Sequence, residues 1–162
     1  MVSSKTKQNP YYQARIKAAE QDHELNSRVL AADRIGISLS LLEKCEAGGG
    51  RCVSQDVVMR MADVYGEPQL LYGYCTRECP VGKLIRPEVR DRSIEGTVLA
   101  LTNQRDALAD VCKTMADVLE DGTVDDREIA KLSEVEKQVD KIAQVMDELR
   151  MQLDRIMGRR ME

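Results

Sequence analysis

The chain has 162 residues, 43% of them apolar and 32% charged, with a net charge of −4, no Phe, no Trp and five Cys. That length suits one domain plus an appendage, or two small units, better than one large body, and any core must be built from aliphatic side chains and Met. No run of about 18 apolar residues and no apolar segment behind the N-terminus occurs, so a membrane span and a signal peptide are not expected and a cytoplasmic soluble protein is.

An odd number of irregularly spaced cysteines fits reduced thiols better than a disulfide framework. Residues 1–75 set nine Lys and Arg against nine Asp and Glu, and residues 76–162 set 15 against 19. Neither half is basic, which counts against strong non-specific nucleic-acid binding.

Residues 1–9 are polar and lack apolar periodicity, and they read as a flexible arm. Asn9-Pro10 is a cap and first-turn pair, and Tyr12, Ile16 and Ala19 fall at helical spacing, so a helix is expected over about 10–21. His23, the only histidine, has no partner placed by a motif and reads as a surface or turn residue, not a ligand or base. Ser27 caps a second helix with Val29, Ala32 and Ile35 inward, and Gly36 ends it. Ser38 caps a third, with Leu42 and Cys45 inward and Leu39, Ser40, Glu43 and Lys44 outward. Two short helices about a Gly-bearing turn are helix-turn-helix grammar.

Gly48-Gly49-Gly50 ends that helix. Ser54 caps a fourth, with Val57, Val58, Met61, Ala62 and Tyr65 inward and Gly66 closing it. Pro68 opens a fifth, through about Tyr74. No strand alternation is visible.

Residues 11–74 therefore resemble the Xre-type helix-turn-helix domain of phage and mobile-element repressors, the Cro and λ repressor fold. The resemblance rests on Ala31-Ala32-Asp33-Arg34-Ile35-Gly36-Ile37-Ser38, on Leu42, Cys45, Glu46 and Gly48, and on Val57-Val58-Met61-Ala62. The whole chain is also similar to a bacterial subgroup with a Cys-Pro-x-Gly-Lys segment and an acidic helical tail. Family members begin the first motif helix with Thr-Gln, whose Gln binds a phosphate. Here Ser27 and Arg28 stand there, and Arg28 can do the same by charge. The outer face lacks Arg, Asn and Gln, the usual readers of guanine and adenine edges; Leu39 can touch a thymine methyl and Glu43 can accept from cytosine.

Cys75 and Cys79 supply only two thiolates where structural zinc needs four ligands, so they read as thiols at a domain edge. Residues 76–92, broken by Pro80, Gly82 and Pro87, read as a linker. They hold the most basic run, Arg77, Lys83, Arg86, Arg90 and Arg92, suited to DNA phosphates or to solvent.

Two heptad seams follow. One runs Ile94, Val98, Leu101, Arg105, Leu108, Cys112, Met115, Leu119; the other runs Leu132, Val135, Val139, Ile142, Met146, Leu149, Leu153, Ile156. At about 1.5 Å per residue these helices span roughly 40 Å and roughly 45 to 50 Å. Between them Gly122 breaks the chain and Asp125 with Glu128 forms a capping box. The segment from Asp117 partly matches a calcium loop, but Leu119 falls where a ligand is required, so capping is the reading. Apolar residues outside the seams, Val111, Val118, Ile129 and Val145, need another surface, and pairing two hairpins into a four-helix bundle supplies it.

The expectation is an all-α protein: a flexible arm (1–9), a five-helix repressor-like helix-turn-helix domain (10–75), a linker (76–92), a long antiparallel coiled-coil hairpin that dimerises (93–158) and a tail (159–162). The expected function is sequence-specific transcriptional regulation by a homodimer on double-stranded DNA. Arg28 and Ser38 would meet phosphates, Leu39, Ser40, Glu43 and Lys44 would face bases, and Arg51 completes the DNA-contact set. Leu101, Leu108, Met115, Val139, Ile142, Met146, Leu149 and Leu153 form the dimerisation set. The alternative is a protein-interaction adaptor on the same scaffold without DNA binding. With one histidine, no nucleophile elbow and no phosphate-binding glycine loop, no catalytic residue, metal, cofactor or small-molecule substrate is expected.

Overall fold

Asn9 shows how local chemistry starts the fold. Its side chain accepts hydrogen bonds from the Tyr11 and Tyr12 amides, capping one helix, while its Nδ2 donates to the Cys45 carbonyl at 3.0 Å at the end of another. The computed structural model describes residues 4–48, 53–120 and 124–158, and these are helical with no strand among them. The N-terminal helices are α1 (Ser4–Lys7), α2 (Pro10–Ala18), α3 (Arg28–Ile35), α4 (Leu39–Ala47), α5 (Gln55–Tyr65) and α6 (Gln69–Arg77), with a 3-10 turn at His23–Asn26. Then come α7 (Gly82–Ile85), α8 (Ile94–Asn103), α9 (Arg105–Val118) and α10 (Asp126–Met157). No helix among the described residues is long and apolar enough to cross a membrane.

The stretch expected to be a loose arm contributes one helical turn, α1, packed on α2 and α4. The core of α2 to α6 is aliphatic, as a chain without Phe or Trp requires: Leu25, Ile35, Leu42, Val58 and Met61 are fully buried beside Tyr11 and Leu70. Each such side chain stabilises by about 1.5–3 kcal/mol relative to exposure. All five inward positions expected on α5 are buried. On α3 one is not: Val29 is exposed and Ala31 takes its place beside Ala32 and Ile35. Gly36 (φ 72°) and Gly66 (φ 65°) adopt the left-handed conformation their turns need.

The 76–92 stretch is built into the molecule. Gly82 lies so close to α6 that a Cβ would stand 1.7 Å from the Cys75 carbonyl oxygen, and its amide donates to Cys79 Sγ at 3.5 Å. Beyond α7 the chain is stitched to α10: Arg86 pairs with Asp147 (3.0 Å), and the Arg90 amide and the Arg92 guanidinium both meet the fully buried Glu148 (3.1 Å each). Arg155 of α10 binds Asp91 and Gln69, and the Tyr72 hydroxyl donates to Asp154 at 3.1 Å. Most of the basic run thus neutralises the protein's own carboxylates.

The C-terminal helices depart from the expected seams by one residue. The first helix breaks at Gln104 (ψ −5°), after Thr102, whose hydroxyl back-bonds to the Val98 carbonyl at 3.0 Å, and after Asn103. Helices α9 and α10 pack on each other across a connection of only seven residues, which makes them antiparallel, and Asp110, Thr114, Asp117, Lys131, Glu134 and Gln138 line a groove along them. The buried residues of these helices include Val111, Val118, Val135 and Val145, with Thr97 and Gln152. Val111, Val118 and Val145, expected from the sequence to need another surface, are thus buried within the chain itself. Among the seam positions, Val98, Leu108, Leu119, Val139, Met146, Leu153 and Ile156 are exposed. Asp125 and Glu128 form the expected capping box; Gly122 lies outside the described residues.

Each of several exposed apolar residues follows a buried or half-buried one: Val98 after Thr97, Leu119 after Val118, Val139 after Gln138, Met146 after Val145, Leu153 after Gln152. One residue is about 100° of helix rotation. Rotations of the same sense on two antiparallel helices point to the same side, so these residues form one apolar face along the pair.

The Tyr72 hydroxyl is pushed up to about 12 by burial and then by its bond to Asp154. The folded state therefore holds a proton that the unfolded state loses from about pH 10, and this stabilisation declines as pH rises from there through about 12. Urea midpoints measured across that window should fall more steeply for the native protein than for Tyr72→Phe; parallel curves would contradict the assignment.

Candidate nucleic-acid interface

The unit that presents α4 is assembled by polar contacts from three sides. Ser27 Oγ accepts from the Leu30 amide and Ser38 Oγ from the Leu41 amide (3.2 Å), so both helices begin on side-chain caps. Between them Arg60 of α5 donates from Nη1 to the Ile35 and Gly36 carbonyls, at 3.1 and 3.0 Å. Those two carbonyls belong to the end of α3, where intrahelical donors run out, so Arg60 fixes the turn.

Beneath α4 lies a buried ion cluster. Glu46 is fully buried, and its carboxylate meets Arg15 of α2 at 2.5 and 3.2 Å and Arg28 of α3 at 2.7 Å. Arg15, itself 2% exposed, also donates from Nη1 to the Leu25 and Asn26 carbonyls at 2.9 and 3.0 Å. The Tyr12 ring lies 5.4 Å from the Arg15 guanidinium carbon. Charges this deep persist only when paired and hydrogen-bonded on every side.

The outer surface holds Ser38, Leu39, Ser40, Glu43 and Lys44, all exposed and all on one side of α4. Arg28 stands apart: its guanidinium is engaged by Glu46, and its side chain is 31% exposed. The Ser38 hydroxyl is likewise occupied as a cap. Arg51 lies outside the described residues. Around the face Arg34 is paired with Asp22 and Glu24, and Arg60 with Asp56. The Arg34 guanidinium holds Asp22 below the usual carboxylate range, and the Ser54 hydroxyl chiefly does so for Asp56. Lys44 has no carboxylate partner among the described residues.

Four apolar side chains are exposed on this same unit: Val29, Leu30, Leu39 and Leu41. Leu30 and Leu41 join the exposed set only in the structure. The sequence signal for Glu46 as a buried ion-pair partner is its place four residues after the inward Leu42. Arg60 left no local signal, because the carbonyls it caps are about 25 residues away.

Cys45 is buried, and burial pushes its thiol up, away from the reactive thiolate. Cys75 is exposed, and Cys79 accepts from the Gly82 amide. Among the described residues no group of three His, Cys, Asp or Glu side chains converges as metal ligands. Comparison with family models, with curated proteins and with solved structures finds no match.

The ion cluster makes a stability prediction. Glu46→Ala leaves two arginines facing a buried void and should lower unfolding free energy by about 3–5 kcal/mol, whereas exposed Lys44→Ala should change it by less than about 0.5 kcal/mol. Urea denaturation followed by helical circular dichroism checks both, and equal losses would refute the cluster's role.

Proposed function

We propose that the protein is a DNA-binding transcriptional regulator acting as a homodimer, with α3 and α4 as its helix-turn-helix. The observation carrying this reading is the pairing of α3 and α4 across a turn held by Gly36 and Arg60, which leaves one side of α4 free along its length. Leu39, Ser40 and Glu43 would face base edges, with Lys44 on phosphate. Arg28 acts here mainly in holding α3 to α4, and the amides at the helix starts, with their positive dipole ends, take over part of the phosphate contact. With so few uncompensated cations, each reading unit binds weakly, and two on one duplex are needed for useful affinity.

The apolar face along α8, α9 and α10 supports the dimer. It holds Leu108, Val139, Met146 and Leu153 as exposed residues, with Leu101, Met115, Ile142 and Leu149 half-buried at its edge. Covering it with a second copy gives a four-helix bundle, the usual way for such a layer to bury its second side. A specific observation favours the adaptor reading as the alternative: Val29, Leu30, Leu39 and Leu41 are anchors suited to a protein partner.

Fluorescence titration of the full chain against random duplex at low salt should give saturable binding at micromolar protein, weakened by added salt. Lys44→Ala should reduce the logarithmic salt slope by about 1. Absence of binding under these conditions would sink the regulator reading and leave the adaptor.

Light scattering should give a dimer mass for the native chain and a monomer mass for Met146→Glu combined with Leu153→Glu, with helicity retained. A native monomer at high concentration would contradict the bundle.

A further inference from the structure

The one-turn helix α7 carries its apolar side chains outward. Val81, Leu84 and Ile85 are 63%, 87% and 69% exposed, and Leu84 is the most exposed large apolar residue among those described. Val81 already has helical dihedrals (φ −70°, ψ −46°), so the three fall at i, i+3 and i+4 and share one side of the turn. The turn cannot roll to cover them. Gly82 is buried against the Cys75 carbonyl of α6, where no side chain would fit, and the Lys83 and Arg86 amides donate to the Cys79 and Gly82 carbonyls at 3.0 and 2.9 Å. A single exposed aliphatic is ordinary, but three together on a braced turn mark a contact surface.

The charges nearby choose among partners. Of the carboxylates between α6 and α8, Glu78 accepts from Tyr11, Glu88 is paired with Arg77 and Asp91 with Arg155. Asp147 of α10 is paired with Arg86. Lys83 and Arg90 are exposed, and neither side chain has a carboxylate partner among the described residues. Arg90 stands near the turn, because its amide binds Glu148, next to the Asp147 that holds Arg86. The charges left unpaired beside the three aliphatics are thus positive. A stable protein interface takes about 800 Å² from each side, far more than three side chains on one turn can supply. A bilayer surface asks less: a few aliphatic side chains reach the acyl boundary, and each basic residue beside them adds attraction to anionic headgroups.

We propose that α7 is a contact for an anionic lipid surface, with Val81, Leu84 and Ile85 entering the acyl boundary and Lys83 and Arg90 on headgroup phosphates. The contact goes beyond DNA binding and stands without it.

Co-sedimentation of the full chain with vesicles of mixed phosphatidylserine and phosphatidylcholine should pellet the protein saturably and less so as salt is raised. Binding to pure phosphatidylcholine should be at least about fivefold weaker, and Lys83→Gln should cost about fivefold on the mixed vesicles. Leu84→Gln combined with Ile85→Gln should remove binding while leaving helicity unchanged, since both positions are exposed. No binding to the mixed vesicles, equal binding to pure phosphatidylcholine, or binding retained in the double Gln variant would overturn the proposal. Retention there with loss in Met146→Glu plus Leu153→Glu would move the lipid contact to the C-terminal face. Absence of vesicle binding, together with loss of dimer mass in the double Gln variant, would give α7 to a second copy instead. The DNA titration is independent of all these outcomes.

Discussion

Everything on the N-terminal side depends on one buried carboxylate. Glu46 draws together Arg15 from α2, Arg28 from α3 and, through Arg15, the carbonyls of Leu25 and Asn26. An apolar core alone would allow α4 to slide or rotate, because aliphatic contacts are not directional. The paired guanidinium and carboxylate are directional, and losing either partner leaves an uncompensated charge in a low-dielectric interior. The face that α4 turns outward is therefore set by the charge it turns inward.

That arrangement has a cost at the surface. Arg28, Arg34 and Arg60 are engaged in holding helices and turns. Arg77 ties the end of α6 to the segment after α7, and Arg86 and Arg92 tie that segment to α10. Positive charge used inside the fold is not available to a phosphate backbone, and the overall charge of −4 offers no reserve. For the proposed regulator, a surface this poor in free cations would gain most from duplication, which is the role proposed for the apolar face on the C-terminal helices.

The C-terminal pair also shows why a heptad reading can find the right helices and the wrong side. The most apolar stripe, through Leu108, Val139, Met146 and Leu153, is exposed, while the residues buried within the chain include Thr97, Glu148 and Gln152. Thr97 satisfies its hydroxyl on the Ser93 carbonyl, and Gln152 donates to the Arg92 carbonyl. Polar residues that find partners can sit in a seam, and periodicity alone cannot see those partners.

The sequence by itself determined the all-helical class, the helix starts at Asn9, Ser27, Ser38 and Asp125, the glycine stops at Gly36 and Gly66, and the inward face of α5. Caps, stops and apolar spacing are local, encoded within a turn or two of where they act. Only the tertiary structure decided that Arg28 faces Glu46, that Arg60 caps α3 from α5, and that the 76–92 stretch is fastened to α10. Each of these joins residues far apart in the chain, and the choice among possible partners for a long charged side chain is made by packing, not by spacing. The candidate site was thus legible as a set of exposed positions on α4, while its electrostatics became visible only once every cation's partner was known.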